Sequence, residues 1–242
     1  MKKRNLKEMA GISILAAIIV VMAAIPQLGY LKVPILAFDL TLLFVPVLIG
    51  TMLFDKKGGL ILGLVFGLSS LAVAIFRPAT PFDITFRNPL VSVLPRLIFP
   101  MIFLFILDLL RKLDSFKSAL ITTIFTIGIA ITFITTNMSK VFIIFILILA
   151  ILSLLFTIYC YKHKDKKLLY ILPTFISVII HGILVLSVIV LFYQQTIIEM
   201  FQVENAIRVI GIVLVSNSFL EAILSSIIMQ LITPIIRKTR DE

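Results

Sequence analysis

Eight long apolar runs divide this chain, and short segments join them. A helix needs about 20 apolar residues to cross the hydrocarbon core of a bilayer, where lipid offers no partner to free backbone groups. The runs therefore predict an all-α integral membrane protein that forms one transmembrane domain over residues 1–242. The predicted helices cover residues 9–28, 38–54, 58–76, 89–110, 117–136, 140–161, 168–193 and 206–234.

Positive charge predicts the orientation of these helices. Sixteen of the 22 Lys and Arg lie at the N-terminus, in every second predicted loop and in the C-terminal tail. Because cytoplasmic loops are enriched in Lys and Arg, both termini are predicted to be cytoplasmic. Only 14% of the residues are charged, which is too few to cover a soluble domain of this length. We therefore interpret the net charge of +10 as setting the orientation in the membrane and contacting anionic lipid head groups, not as binding nucleic acid.

Arg96 is the most costly residue to bury, because it lies in an otherwise apolar predicted helix. Its guanidinium can bind a carboxylate through two parallel hydrogen bonds, which favours a ligand site. It can equally form a structural pair with Glu221 or with free carbonyl groups near Pro95. The sequence leaves these interpretations open.

Polar residues in the other helices are further candidates for a binding site. Asn217 and Glu221 are four residues apart and share one face of the last helix. Either residue can contact a ligand or hold a neighbouring helix. His181 lies within an apolar run, as a ligand contact or as a neutral histidine bonded to another helix. Asp39 is predicted to cap the second helix or to line the rim of a pocket.

One predicted outer loop is stiff and charged. It precedes the fourth helix and has three prolines in or beside it, so it can close over a bound solute. Its charged and polar residues are Arg77, Asp83, Arg87 and Asn88.

Small residues predict two close contacts between helices. Gly59, Gly63 and Gly67 recur every four residues on the third helix and form a flat stripe. On the first helix, Ser13 and Ala17 are also four residues apart, with Ala16 beside them. These three residues pack internally or form a docking face for another membrane subunit.

Several kinds of chemistry have no motif here. The sequence contains no nucleotide-binding loop and no hydrolase or metalloprotease motif. With two His and one Cys, it predicts no metal site and no bound cofactor. The chain would need a separate ATPase to drive active transport.

Four segments resemble one family, the S components of energy-coupling-factor (ECF) transporters. They are Pro34-Ile35-Leu36-Ala37-Phe38-Asp39-Leu40-Thr41, the glycine-rich Lys57–Ser70 segment, Asn88-Pro89-Leu90-Val91-Ser92-Val93-Leu94-Pro95-Arg96, and Asn217-Ser218-Phe219-Leu220-Glu221-Ala222 with Thr233-Pro234. Together with Val45–Gly50, they fall within residues 8–110 and 168–236.

The resemblance implies a subunit of the bacterial cell membrane that captures a small vitamin and pairs with a transmembrane T subunit and two ATPases. It implies that Asp39, Asn88, Arg96, His181 and Asn217 surround the vitamin. Arg87 and Glu221 complete the set of predicted substrate-binding residues. Ser13, Ala16 and Ala17 would face the T subunit. The Asn88–Arg96 motif looks most like the pantothenate branch, and folate is the nearest alternative.

The chain departs from this family in its length. S components usually have six helices, and residues 117–161 are interpreted as an inserted helical hairpin or a partly re-entrant element. Two other classes of protein remain as alternatives, an intramembrane enzyme that uses Asp39, His181 or Glu221, and a membrane scaffold. Vitamin binding by the purified protein would distinguish a vitamin-binding subunit from both of these alternatives.

Overall fold

A computed structural model describes residues 2–31, 39–78, 80–110, 115–135, 140–163, 171–202, 206, 211 and 213–241. The helices are α1 (Lys2–Ala24), α2 (Pro26–Gly29), α3 (Phe44–Phe76), α4 (Pro89–Ser92), α5 (Leu94–Leu110), α6 (Ser115–Thr135), α7 (Lys140–His163), α8 (Ile171–Phe201) and α9 (Phe219–Asp241). Two short strands, β1 (Tyr30–Leu31) and β2 (Leu40–Thr41), a 3₁₀ segment (Pro81–Arg87) and a π-helical turn (Leu214–Ser218) complete the described elements.

The helices confirm the all-α membrane fold. In the described part of the chain, four are long and apolar enough to cross a membrane: Leu6–Ala24, Phe44–Phe76, Pro89–Leu110 and Ile171–Phe201. Two shorter apolar helices cover Ala119–Gly128 and Phe219–Ile232. The count of eight membrane spans stays a prediction.

Helix α3 folds back on itself near its middle. Phe54 and Asp55 leave helical geometry, and Asp55 has a φ of 54°. A Cβ built on Gly59 would lie 2.9 Å from Thr51 Oγ1, although residues eight apart in a straight helix are about 12 Å apart. The two arms of α3, residues 44–54 and 56–76, therefore form an antiparallel pair. The chain reverses at Phe54 and Asp55, between the second and third predicted helices.

The start of the second predicted helix is wrong. The helix was expected from residue 38, with Asp39 as its cap or at the rim of a pocket, but it begins at Phe44. Asp39 instead precedes β2, which pairs antiparallel with β1 in the register Tyr30 to Thr41 and Leu31 to Leu40. The backbone N–H of Leu42 also donates to Gly29 O at 2.9 Å. Backbone pairing with residues 29–31 thus replaces the first turn that the apolar pattern predicted.

The predicted glycine stripe is confirmed as a helix contact. Gly59, Gly63 and Gly67 are buried where the second arm of α3 packs on α5. A Cβ on Gly63 would lie 2.5 Å from the carbonyl oxygen of Arg96, and one on Gly67 would lie 2.8 Å from the Cα of Val93. The absence of side chains therefore brings the α3 backbone directly against the segment that carries Arg96.

Helices α6 and α7 form an antiparallel pair at the edge of the bundle. Thr123 Oγ1 lies 2.7 Å from Thr157 Oγ1, and the rings of Phe116 and Tyr161 are 5.3 Å apart. Through α6 the pair packs on α8, where Phe125 contacts Phe175 at 6.0 Å between ring centroids. This geometry favours a helical hairpin. Its status as an insertion stays a prediction.

Candidate functional site

A cavity of about 390 Å³ lies at the end of the bundle where α1 ends and the β1–β2 hairpin crosses it. Its wall comes from α2 and that hairpin, both arms of α3, the 3₁₀ segment, the π-helical turn, and the adjoining parts of α5, α8 and α9. Five of the seven predicted substrate-binding residues line it: Asp39, Arg96, His181, Asn217 and Glu221. Residues from the predicted helices, far apart in sequence, thus meet at one cavity.

Arg96 is 7% exposed and is held by a carbonyl that the local sequence leaves unpaired. Pro95 has no N–H to donate to Val91 O four residues earlier, and Arg96 Nη1 donates to that oxygen at 2.6 Å. The guanidinium also lies 5.5 Å from the ring centroid of Phe66 and 5.1 Å from that of Phe86. Of the two structural partners expected for Arg96, the structure shows the carbonyl.

Part of the Arg96 guanidinium has no protein partner. Its Nε is buried without a hydrogen bond, and no salt bridge to Arg96 is found among the described residues. Burying a charge without a counter-ion is costly. A ligand anion in the adjoining cavity would offset that cost.

His181 is 3% exposed and packs among aromatic rings of other helices. Its ring centroid lies 4.9 Å from that of Phe44, 5.4 Å from that of Phe99 and 6.4 Å from that of Phe66. Its Nε2 is buried without a hydrogen-bond partner. This nitrogen therefore makes no bond to a neighbouring helix, and His181 is among the residues that line the cavity.

Asn217 and Glu221 reach the same cavity from the start of the last helix. Asn217 is buried within the π-helical turn, and such turns are frequent at functional sites. Glu221 Oε1 accepts a hydrogen bond of 2.8 Å from the backbone N–H of Thr41. Glu221 thus contacts the hairpin that also carries Asp39, another predicted site residue.

Arg87 and Asn88 are not among the residues that line the cavity. Arg87 is exposed, and its Nε donates to Ala74 O at 3.0 Å. Asn88 caps α4, because its Oδ1 accepts from the backbone N–H of Leu90 at 2.9 Å. Both side chains bind backbone groups of the protein, and their position around the substrate stays a prediction.

Two other residues of the same loop do line the cavity, Arg77 and Asp83. Arg77 donates to the last carbonyls of α1, at 2.8 Å to Ala24 O and 3.2 Å to Ala23 O. Asp83 Oδ2 accepts from the backbone N–H of Thr80 at 2.7 Å. The stiffness predicted for this loop therefore comes from side-chain bonds as well as from proline.

Tyr30 is a cavity residue that the sequence analysis missed. Burial raises the pKa of its phenol above the ordinary value, so the side chain stays neutral and can donate a hydrogen bond. An aromatic residue beside Gly29 was the only available signal, and it is a weak one. Phe82 and Phe86 also line the cavity from the 3₁₀ segment.

The predicted docking residues lie on α1. Ser13 and Ala17 are exposed, and Ala16 packs against the main core. Thus two of the three side chains face away from the bundle.

The fold and the cavity together define a polytopic membrane protein with a cavity of mixed polarity at one end of its helix bundle. Its sequence from residue 7 to residue 139 matches the family model of the ECF transporter, substrate-specific component. These 133 of 242 residues are more than half of the chain, so the protein belongs to this family. It is a substrate-specific subunit of an ECF transporter. No curated protein sequence matches the chain.

The matched region divides the cavity residues. It includes Asp39 and Arg96, and it extends through α6, the first helix of the hairpin. It ends before His181, Asn217 and Glu221. S components of this family bind a small vitamin and work with T and ATPase subunits.

Proposed function

We propose that this chain captures a water-soluble vitamin that carries a carboxylate, with pantothenate as the first candidate and folate as the alternative. The observation that supports this most is Arg96, a buried cation in the cavity wall whose Nε has no protein partner. A ligand carboxylate would pair with the guanidinium in a site of low dielectric constant, where charge-assisted hydrogen bonds are strongest.

The size and lining of the cavity favour pantothenate over folate. Its volume of about 390 Å³ is at the small end of the usual range for ligand pockets, and folate is much the larger vitamin. The apolar wall, which includes Phe44, Phe82 and Val185, suits the branched carbon skeleton of pantothenate. Tyr30, His181 and Asn217 supply polar groups for its hydroxyl and amide groups.

The charge pattern supports an outward-facing cavity in a bacterial cell membrane. Lys57 and Glu8 pair at 3.8 Å near the turn within α3, at the opposite end of α1 from the cavity. If Lys- and Arg-rich ends face the cytoplasm, the cavity opens to the outside and both termini are cytoplasmic. An outward cavity is what capture of an external vitamin requires.

Ser13, Ala16 and Ala17 are proposed to dock the T subunit of the complex, which two ATPases power. Helix α1 packs on α3, whereas the α6–α7 pair packs on α8. The extra pair therefore leaves the exposed Ser13 and Ala17 open to a partner helix that approaches closely through small residues. All helices are proposed to form one membrane domain.

The substrate is tested by binding to the purified protein in detergent. Pantothenate, its alcohol analogue pantothenol, folate and thiamine are compared by thermal stabilisation and calorimetry. A ligand at 100 times its dissociation constant stabilises the folded state by about 2.7 kcal/mol. We expect a shift with pantothenate and a much smaller one with pantothenol, which lacks the carboxylate. A shift with folate alone would make folate the substrate in place of pantothenate. Equal shifts with pantothenate and pantothenol would show that the carboxylate is not recognised.

The docking face is tested with Ala17→Leu. We expect this variant to bind the vitamin like the wild type but to lose uptake in the assembled complex. Gly128→Leu is the control, because it adds bulk to α6, where a Cβ would meet nothing within 4 Å. Normal uptake with Ala17→Leu, or equal loss with both variants, would argue against this docking face.

A further inference from the structure

We propose that Glu221 is a positioning residue, which holds the β1–β2 hairpin across the cavity instead of contacting the vitamin through its charge. The contact that points to this role joins two parts of the chain 180 residues apart. The part of the proposal that concerns vitamin affinity rests on the proposed function. The structural part does not depend on it.

The hairpin gains little stability from its own pairing. Each strand has two residues, and the bond from Leu42 N to Gly29 O extends the pairing by one step. A two-stranded hairpin is at best marginally stable by itself. Its position over the cavity therefore depends on contacts with the helices.

Glu221 supplies such a contact from a fixed position. Its neighbours Phe219 and Ala222 are fully buried in the main core. Five residues further on, Ser226 Oγ donates to Ile171 O of α8 at 3.2 Å, which ties the same helix to the bundle. From this anchored helix, Oε1 accepts the N–H of Thr41 at 2.8 Å.

The hairpin in turn carries three residues that line the cavity: Tyr30, Asp39 and Thr41. Holding Thr41 therefore holds Tyr30, its partner in the strand register, and keeps Asp39 one residue before β2. If the bond to Glu221 is lost, we expect the hairpin to populate more positions in the ligand-free protein. The vitamin would then bind more weakly, because binding must also order the hairpin.

The test uses two substitutions that separate bonding from charge. Glu221→Gln removes the charge but keeps an Oε1 that can accept the Thr41 N–H. Glu221→Met keeps the length of the side chain and removes the acceptor, and Glu221→Ala is a second variant of that kind. Ser226→Ala is the control, because it removes buried hydrogen bonds of the same helix without touching the hairpin.

Two measurements are made on each variant of the full-length protein. Amide hydrogen exchange of residues 39–43 in the ligand-free state reports the hairpin, and calorimetry with pantothenate reports the affinity. We expect Glu221→Gln to stay within about threefold of the wild type in both. Glu221→Met should speed the exchange and weaken the affinity about tenfold or more, because the N–H of Thr41 loses its acceptor. Ser226→Ala should leave the exchange of 39–43 unchanged.

Other outcomes would overturn the proposal. If Glu221→Gln loses affinity as strongly as Glu221→Met while hairpin exchange is unchanged, Glu221 acts on the ligand through its charge. Unchanged exchange and affinity in Glu221→Met would remove any role for the bond. If neither Glu221→Met nor Glu221→Ala folds, the test rests on Glu221→Gln alone. A tenfold faster exchange or a tenfold weaker affinity in that variant would then contradict the proposal. If wild-type protein does not bind pantothenate, the proposed substrate fails, but the exchange experiment still tests the hairpin contact.

Discussion

The α3–α5 contact and the α8–α9 contact build two walls of the cavity in different ways. Between α3 and α5, glycines let backbone meet backbone, and the carbonyl left free by Pro95 is bonded to Arg96. Between α8 and the π-helical turn that leads into α9, Gly182 again allows a close approach, since its Cβ would lie 2.3 Å from Ser218 Oγ. Here, however, the buried hydroxyl groups of Thr174 and Ser225 have no partner.

The difference separates two tasks of a binding site. The α3–α5 wall holds a buried cation in one geometry, because its packing leaves the Arg96 segment little room to move. The α8–α9 wall presents uncharged or adaptable polar groups, such as His181 and Asn217. We expect substitutions in the first wall to abolish recognition or folding, and those in the second to change affinity more gradually.

The largest expected effect is at Arg96. Arg96→Met should lower affinity for the carboxylate-bearing vitamin about a hundredfold or more, because a charge-assisted bidentate pair is lost. Calorimetry on the folded variant measures this. Arg87→Met is the matched control, since Arg87 does not line the cavity, and it should stay within about threefold. Equal losses of affinity in the two variants would show that Arg96 has no special role in binding the vitamin.

The next effect tests how tightly the α3–α5 wall is packed. Gly63→Ala places a Cβ 2.5 Å from the Arg96 carbonyl oxygen, so the helices must separate. We expect a loss of about 1–3 kcal/mol of stability, the usual range for overpacking, together with weaker vitamin binding. Gly128→Ala adds the same methyl group in open space and should be neutral or slightly stabilising. Thermal unfolding in detergent compares the two variants. Equal stability would show that α3 and α5 can move apart without cost.

A smaller effect is expected at His181 in the second wall. His181→Phe keeps a ring among Phe44, Phe66 and Phe99 and removes the polar nitrogens. We expect the melting temperature to be retained and vitamin affinity to fall about tenfold, as for one hydrogen bond to a neutral group. His181→Gln should recover part of the loss. Unchanged affinity in His181→Phe would mean that His181 only packs.

The smallest effect concerns the unpaired hydroxyl of Thr174. Thr174→Val removes a buried group that has no partner, so stability should be unchanged or higher by up to about 1 kcal/mol. Ser177→Ala, on the same helix, removes a bond of 2.5 Å to Pro173 O and should lower stability by about 1 kcal/mol. If Thr174→Val is the more destabilising of the two, that hydroxyl has a partner after all, for example an ordered water.

Patterns local in the chain determined much of this protein. Apolar runs predicted the helices, because in lipid each backbone must pair within its own segment. The glycine spacing predicted a close helix contact, because three residues on one helix face act together wherever the partner lies. Arg96, His181, Asn217 and Glu221 stood out because polar groups in apolar segments are costly.

Only the tertiary structure decided which partners these residues have. Arg87 and Asn88 bond to backbone groups nearby, Glu221 bonds to a residue 180 positions away, and Tyr30 enters the cavity through a hairpin. The hairpin also displaced the start of a helix, since Leu40 and Thr41 found strand partners in residues 30–31. A sequence shows which groups need partners, and the packing of distant segments determines which partners they find.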